Sequence, residues 1–220
     1  MNIFDILGPV MVGPSSSHTA GAVRIGYVAQ SLLKDKPKRA RIILHGSFAA
    51  TGVGHGTDRA LVAGLMGMKP DDGRIPNSFA IAKEKGLEIE FEDRMIAGAH
   101  PNTVILEIST EAGESCSIQA SSIGGGRIFV DKIDGLEAKF SGEHPTLIVH
   151  HRDFPGMISK VTKILAENGT NIGSMQLYRG KRGGTAVMII EMDAQVEEEV
   201  LLQVRKEKDI RKVTYLRGGY

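Results

Sequence analysis

Between Thr146 and Leu216 the hydrophobic period switches back and forth between that of a strand and that of a helix, and this leaves few folds open. Thr146–His150 reads as a strand. A helix opens at Pro155-Gly156-Met157-Ile158 and runs to Asn168-Gly169, with Pro155 suited to a first turn and Gly169 to a C-cap. Thr170–Leu177 and Gly184–Met192 read as the middle strands, joined by the hairpin Arg179-Gly180-Lys181-Arg182-Gly183. Gln195–Lys206 is a second helix, acidic early and basic late as its dipole prefers. Ile210–Leu216 closes the pattern. A strand-helix-strand-strand-helix-strand order predicts a ferredoxin-like fold.

The chain has 220 residues, which suits two domains. Ahead of the ferredoxin-like part, helical periodicity comes first. Ala20–Leu33 repeats its apolar residues near the helical period, and Lys34-Asp35-Lys36-Pro37 ends that run. Arg39–Gly46 reads as a strand. Gly52-Val53-Gly54-His55-Gly56 reads as a glycine-spaced turn, after which Thr57 or Asp58 caps a helix from Arg59 to about Met66. A short helix spans Asn77–Lys85. Strands then dominate: Leu87–Phe91, Thr103–Ser109, Ser115–Ser121 and Arg127–Lys132, with turn residues between them. Helices followed by a meander predict an α+β domain over residues 1–135. Ile133–Pro145 shows no sustained period, so residues 136–145 read as a linker and 146–220 as the second domain.

The stretch Gly13-Pro14-Ser15-Ser16-Ser17-His18-Thr19 lies directly before the first helical pattern. Unpaired backbone N–H groups and the positive end of the dipole meet there, which suits a carboxylate or phosphate. One hydroxyl is enough for an N-cap, and this stretch offers four. Anion binding and a plain cap with a turn both remain open on the residues alone.

Of the seven histidines, His18 and His55 stand out because each sits in a glycine- and hydroxyl-rich turn at a predicted helix start. Imidazole there can bind a carboxylate or move a proton. His45, beside Gly46-Ser47, is a weaker candidate for the same pocket. His100-Pro101-Asn102-Thr103 is a turn before a strand. Ser121-Ser122-Ile123-Gly124-Gly125-Gly126 is a polar loop whose amides suit an anion or simply connect a hairpin. The spacings show no zinc pattern, no nucleophile elbow and no dinucleotide fingerprint, so no metal ligand is assigned.

Charge excludes one broad class of partner. Lys and Arg number 27 against 26 acidic residues, with no basic run interleaved with aromatics, so nucleic acid is not expected. No apolar run approaches the roughly 18 residues of a membrane span. Met1-Asn2-Ile3-Phe4-Asp5 lacks the basic start of a signal peptide, and a cytoplasmic location is expected. The single cysteine, Cys116, allows no intrachain disulfide and cannot by itself hold an iron–sulfur cluster, which normally needs three or four thiolates. It reads as a structural thiol in a strand.

The Gly13–Thr19 string, with Gly54-His55-Gly56-Thr57-Asp58, resembles the beta subunit of the iron–sulfur-dependent bacterial L-serine dehydratases, over essentially the whole chain. The first domain also resembles the allosteric substrate-binding domain of some phosphoglycerate dehydrogenases. Asp153-Phe154-Pro155-Gly156 with Asn171-Ile172 resembles the ACT domain, a regulatory module that often binds amino acids.

These resemblances carry expectations. The family converts L-serine to pyruvate and ammonia, with a 4Fe-4S cluster held by the alpha subunit rather than by this chain. His18 or His55 would transfer the proton. Ser15, Ser16, Ser17, Thr19 and Thr57 would contact the substrate carboxylate or order the cleft, with His100, Asn102 and Ser122 behind them. His151, Asp153, Gly156, Asn171 and Ile172 would line the ACT ligand site, unless that domain serves only to dimerise. Expected partners are the alpha subunit, L-serine and a second copy of this chain through the ACT domain. The alternative is a non-catalytic, amino-acid-sensing regulatory subunit.

Overall fold

The hydroxyl-rich string enters a continuous helical run. In the computed structural model, which describes residues 10–33 and 35–219, a π-helical turn (Ser16–Gly21) passes into α1 (Ala22–Ser31). Ser15 is the N-cap, extended at φ −139° and ψ 125°, and its side chain accepts from His18 N. Ala22, Val23, Ile25, Val28 and Ala29 face inward. Of the residues read as ending this helix, Lys34 lies outside the described residues, as does Met1–Asp5.

Then follow β1 (Arg39–Leu44), α2 (Ser47–His55), α3 (Thr57–Leu65), a 3-10 turn at Ile75–Asn77 and α4 (Ser78–Glu84). The helix α2 occupies the stretch that reads as a glycine-spaced turn. Its boundaries are set by Gly46 and Gly56, at φ 57° and 69°, a left-handed backbone that favours glycine. Gly52 and Gly54 lie inside the helix. Each costs it roughly 1 kcal/mol relative to Ala, and the full burial of Phe48 offsets much of that.

Helices α1 and α3 pack with their backbones nearly touching. A Cβ on Gly26 would stand 2.3 Å from Leu61 O, and one on Gly64 would stand 2.1 Å from Val23 O. Glycine at both positions is what allows this approach.

The strands β2 (Glu88–Asp93), β3 (Thr103–Ser109), β4 (Ser115–Gly124) and β5 (Arg127–Ile133) join β1 in one sheet, in the order β2-β1-β3-β4-β5, and β6 (Leu136–Phe140) follows in the chain. β1 runs parallel to β2 and antiparallel to β3. β3–β4 and β4–β5 are antiparallel hairpins, with Thr103 opposite Ser121 and a register shift between Ser122 and Gly124. β6 corrects the linker reading. Leu136-Glu137-Ala138-Lys139-Phe140 alternates, and Ala138 and Phe140 are buried.

The chain divides into compact units Met1–Gly135 and Leu136–Tyr220. In the second, β7 (Thr146–Arg152), α5 (Met157–Glu167), β8 (Ile172–Arg179), β9 (Thr185–Met192), α6 (Glu198–Lys206) and β10 (Ile210–Leu216) form the βαββαβ order. The sheet runs β10-β7-β9-β8, antiparallel throughout. Val161 and Leu165 of α5 and Val200 and Val204 of α6 pack with Leu147, Val149, Met188 and Ile190 into one core. The fold is α+β with a ferredoxin-like second unit. No helix among the described residues is long and apolar enough to cross a membrane.

Candidate functional site

The first unit gathers two histidines and a set of hydroxyls where the π-turn meets α2 and α3. The rings of His18 and His55 lie 4.9 Å apart, tilted by 44°. Phe48 meets His18 edge-on at 5.3 Å. Thr19, buried, donates its hydroxyl to His55 O at 3.3 Å and so ties the π-turn to the end of α2. Burial of its ring lowers the pKa of His18 below the ordinary imidazole value, and the neighbouring His55 lowers it further; a hydrogen bond at Ser47 opposes both. The surroundings of His18 therefore favour its neutral form.

The sequence-predicted residues fall around this pair. Ser15 caps the π-turn, and Ser16 and Ser17 lie half-buried within it. His55 is exposed at the end of α2. Thr57 opens α3, fully buried, and its Oγ1 has no hydrogen-bond partner among the described residues. Ser122 is likewise fully buried with an unpartnered Oγ. It presses against the π-turn so closely that a Cβ on Gly21 would stand 2.1 Å from that oxygen. Asn102 holds Ser122 by its carbonyl, which accepts from Ser122 N at 3.0 Å, and by its amide, which donates to Ser122 O at 3.4 Å. His100 is exposed, and its Nδ1 accepts from Asn102 N at 3.1 Å. The His100–Asn102 turn abuts α2, since Ser47 N donates to Pro101 O at 2.8 Å.

His45 has a structural role. It is buried, and its Nδ1 accepts from Ile96 N at 3.1 Å, pinning the loop after β2. Two further residues complete the site: Ser47 and Thr51, whose hydroxyls lie 3.1 and 3.2 Å from His18 Nε2. They stand four residues apart on α2. With Gly52–Gly56 read as a turn, there is no helix face that brings the two together.

The donor set of this chain does not fit an iron–sulfur cluster. Its one thiol, Cys116, is buried in β4. Among the described residues no group of three or more His, Cys, Asp or Glu is placed to hold a metal ion.

The second unit carries a cavity of about 690 Å³, lined by His151, Asp153, Phe154, Gly156, Ile158 and Arg179 among others. His151 is buried; its Nδ1 contacts Arg152 O at 2.7 Å, and its Nε2 has no partner among the described residues. Asp153 Oδ2 accepts from Gly183 N at 3.0 Å and from Arg179 Nη1 at 3.2 Å. The Gly183 amide, then the Arg179 guanidinium, hold its carboxyl below the usual range. Asn171 and Ile172 do not join this cavity within one chain. They stand at the other end of β8 from Arg179, about 23 Å away along the strand, and Asn171 donates its side-chain amide to Asp193.

A hydroxyl-lined histidine pair in one unit and a cavity-bearing ferredoxin-like unit define a two-part α+β protein with an ACT domain. Residues 2–84 match the family "Serine dehydratase beta chain", and residues 145–209 match the ACT domain. The chain is 44% identical to the "Probable L-serine dehydratase, beta chain" of Bacillus subtilis (strain 168), covering 97% of this chain and 96% of that one. It is 40% identical to the "L-serine dehydratase, beta chain" of Peptoniphilus asaccharolyticus, covering 90% and 89%. A D-3-phosphoglycerate dehydrogenase of Methanocaldococcus jannaschii is 27% identical over 89% of this chain but only 37% of its own length. The chain belongs to the family of L-serine dehydratase beta chains.

Proposed function

We propose that this chain is the beta subunit of a cytoplasmic L-serine dehydratase, which converts L-serine to pyruvate and ammonia together with an alpha subunit that carries the 4Fe-4S cluster. The observation that carries the reading is the His18–His55 pair, together with two buried hydroxyls of the same unit, Thr57 and Ser122, that have no partner among the described residues. An unsatisfied buried hydroxyl costs free energy unless a ligand completes it.

The substrate carboxylate is assigned to the start of the π-turn, where Ser15, Ser16 and Ser17 and the amide dipoles favour an anion. Thr57 and Ser122 supply further donors. An imidazole of the pair, that of His18 or His55, takes the α-proton. The C–H electron pair forms the Cα–Cβ double bond, and the β-hydroxyl leaves. The resulting aminoacrylate tautomerises and is hydrolysed to pyruvate and ammonia. With one thiol in this chain, activation of the leaving hydroxyl is assigned to the partner subunit.

The test is anaerobic serine turnover by this chain alone and after mixing with an iron-loaded alpha subunit. Activity is expected only in the mixture, and His18→Asn and His55→Asn are each expected to cut kcat by about 10²–10⁴. A second reading rests on the second unit's cavity and on His151 Nε2, which has no partner among the described residues: a non-catalytic subunit that senses an amino acid. Under it, both variants leave turnover near wild type and move only the activation curve. A homodimer through residues 146–220 belongs to either reading, since edge strands gain by pairing.

A further inference from the structure

Ser47 and Thr51 reach the same nitrogen of His18 from one face of α2. They lie at i and i+4, with their hydroxyl oxygens 3.4 Å apart. The proton of Thr51 is already committed: Oγ1 donates to Ser47 O at 2.9 Å. A hydroxyl has one proton, so toward His18 Thr51 Oγ1 is an acceptor only, and Nε2 must carry the hydrogen between them. Nδ1 faces the other way. Ser15 Oγ, 3.5 Å from Nδ1, accepts from the backbone N–H of His18 at 3.1 Å and keeps its own proton free to point at the ring. In the neutral ring, Nδ1 is then the bare lone pair.

We propose that Ser47 and Thr51 are positioning residues that hold His18 as its Nε2–H tautomer, so that Nδ1, on the side of Ser15 and the π-turn, is the nitrogen that takes and returns the proton. The catalytic half of this statement rests on the reading of His18 as a proton-transfer group; the tautomer half does not. Ser47 Oγ completes a two-oxygen acceptor on Nε2, which fixes the ring plane as well as the proton. His18→Gln or His18→Asn keeps a polar side chain but has no equivalent of Nδ1 with Nε2–H behind it.

The test begins with the chain alone, its histidines labelled with ¹⁵N. Nitrogen–proton correlation spectra above the imidazole titration range report the tautomer, with His18→Asn identifying the His18 signals. The expected result is the Nε2–H form in the wild type. In Thr51→Val the ratio of the two tautomers falls by about fivefold, the worth of one net hydrogen bond, and Thr51→Ser restores it. Thr51 is exposed, so neither change endangers the fold. An Nδ1–H form in the wild type, or a ratio unmoved in Thr51→Val, overturns the proposal. In the complex with the alpha subunit, Thr51→Val is then expected to lower kcat with KM unchanged, and Thr51→Ser to rescue it. If His18→Asn abolishes turnover while Thr51→Val leaves kcat intact, the positioning role is overturned. If His18→Asn leaves turnover intact, it is the catalytic reading of His18 that fails, and the tautomer result decides the remainder by itself.

Discussion

Thr57 separates what a side chain does for stability from what it does for a ligand. Its methyl and backbone open α3 in a fully buried place, while its hydroxyl has no partner among the described residues. Thr57→Val keeps the shape and removes the unsatisfied oxygen. Unfolding by denaturant is therefore expected to show stability unchanged or raised by about 1 kcal/mol. Serine turnover in the complex is expected to show KM raised, because the hydroxyl that the substrate would satisfy is gone. His18 gives a second prediction at this scale. Its pKa is lowered first by burial and then by His55, so an NMR titration is expected to place its midpoint below the usual 6.5. The unfolded chain then binds this proton more readily than the folded one. The site's contribution to stability is full above 6.5 and falls as pH drops from there toward the folded midpoint. His55→Asn is expected to move that midpoint up only part of the way, since burial, the larger cause, remains.

Elements with a clean period were legible in the sequence. The βαββαβ order of the second unit reads directly, because each strand and helix repeats one period between clear turn residues such as Gly169 and Gly183. α2 does not, because four glycines in eleven residues resemble a turn. Only the folded backbone shows that Gly46 and Gly56 sit outside the helix at positive φ while Gly52 and Gly54 sit within it. The same misreading hides Ser47 and Thr51, since an i,i+4 pair exists only once the helix does. β6 is missed for a different reason: five alternating residues between Gly135 and Gly142 are too few to stand out from a linker. The motifs themselves, Ser15–Thr19 and His55–Thr57, were visible as chemistry. The approach of Ser122 to the π-turn at Gly21, about a hundred residues earlier, depends on β4 reaching that turn and has no sequence signal. The glycines of α1 and α3 make an element-scale prediction. Gly64→Ala would put a methyl 2.1 Å from Val23 O and 2.7 Å from Tyr27 N, both backbone atoms that cannot swing aside. The helices must part, at an expected cost of about 3 kcal/mol in denaturant unfolding, whereas Gly54→Ala, with nothing within 4 Å, is expected to be neutral or slightly stabilising.

At the scale of the whole molecule, each unit has its own proposed place for an amino acid, and the two can be told apart. In the second unit, Asp153 draws in the Arg179–Gly183 hairpin through the Gly183 amide and the Arg179 guanidinium, and so forms one wall of the cavity beside His151. In the first, the groups proposed to meet a zwitterion are the hydroxyls and imidazoles of the π-turn, α2 and Thr57. A ligand that binds only the folded state stabilises it by about 2.7 kcal/mol at a hundredfold excess over its Kd. With L-serine as the probe on this chain alone, thermal unfolding followed calorimetrically is expected to show such a gain. If the ACT cavity holds the serine, Asp153→Ala removes the gain because the hairpin wall is released, and Thr57→Val leaves it. If the gain survives Asp153→Ala and vanishes with Thr57→Val, serine sits at the histidine pair even without the alpha subunit. The second unit is then left to dimerisation, which sedimentation at micromolar concentration reads directly.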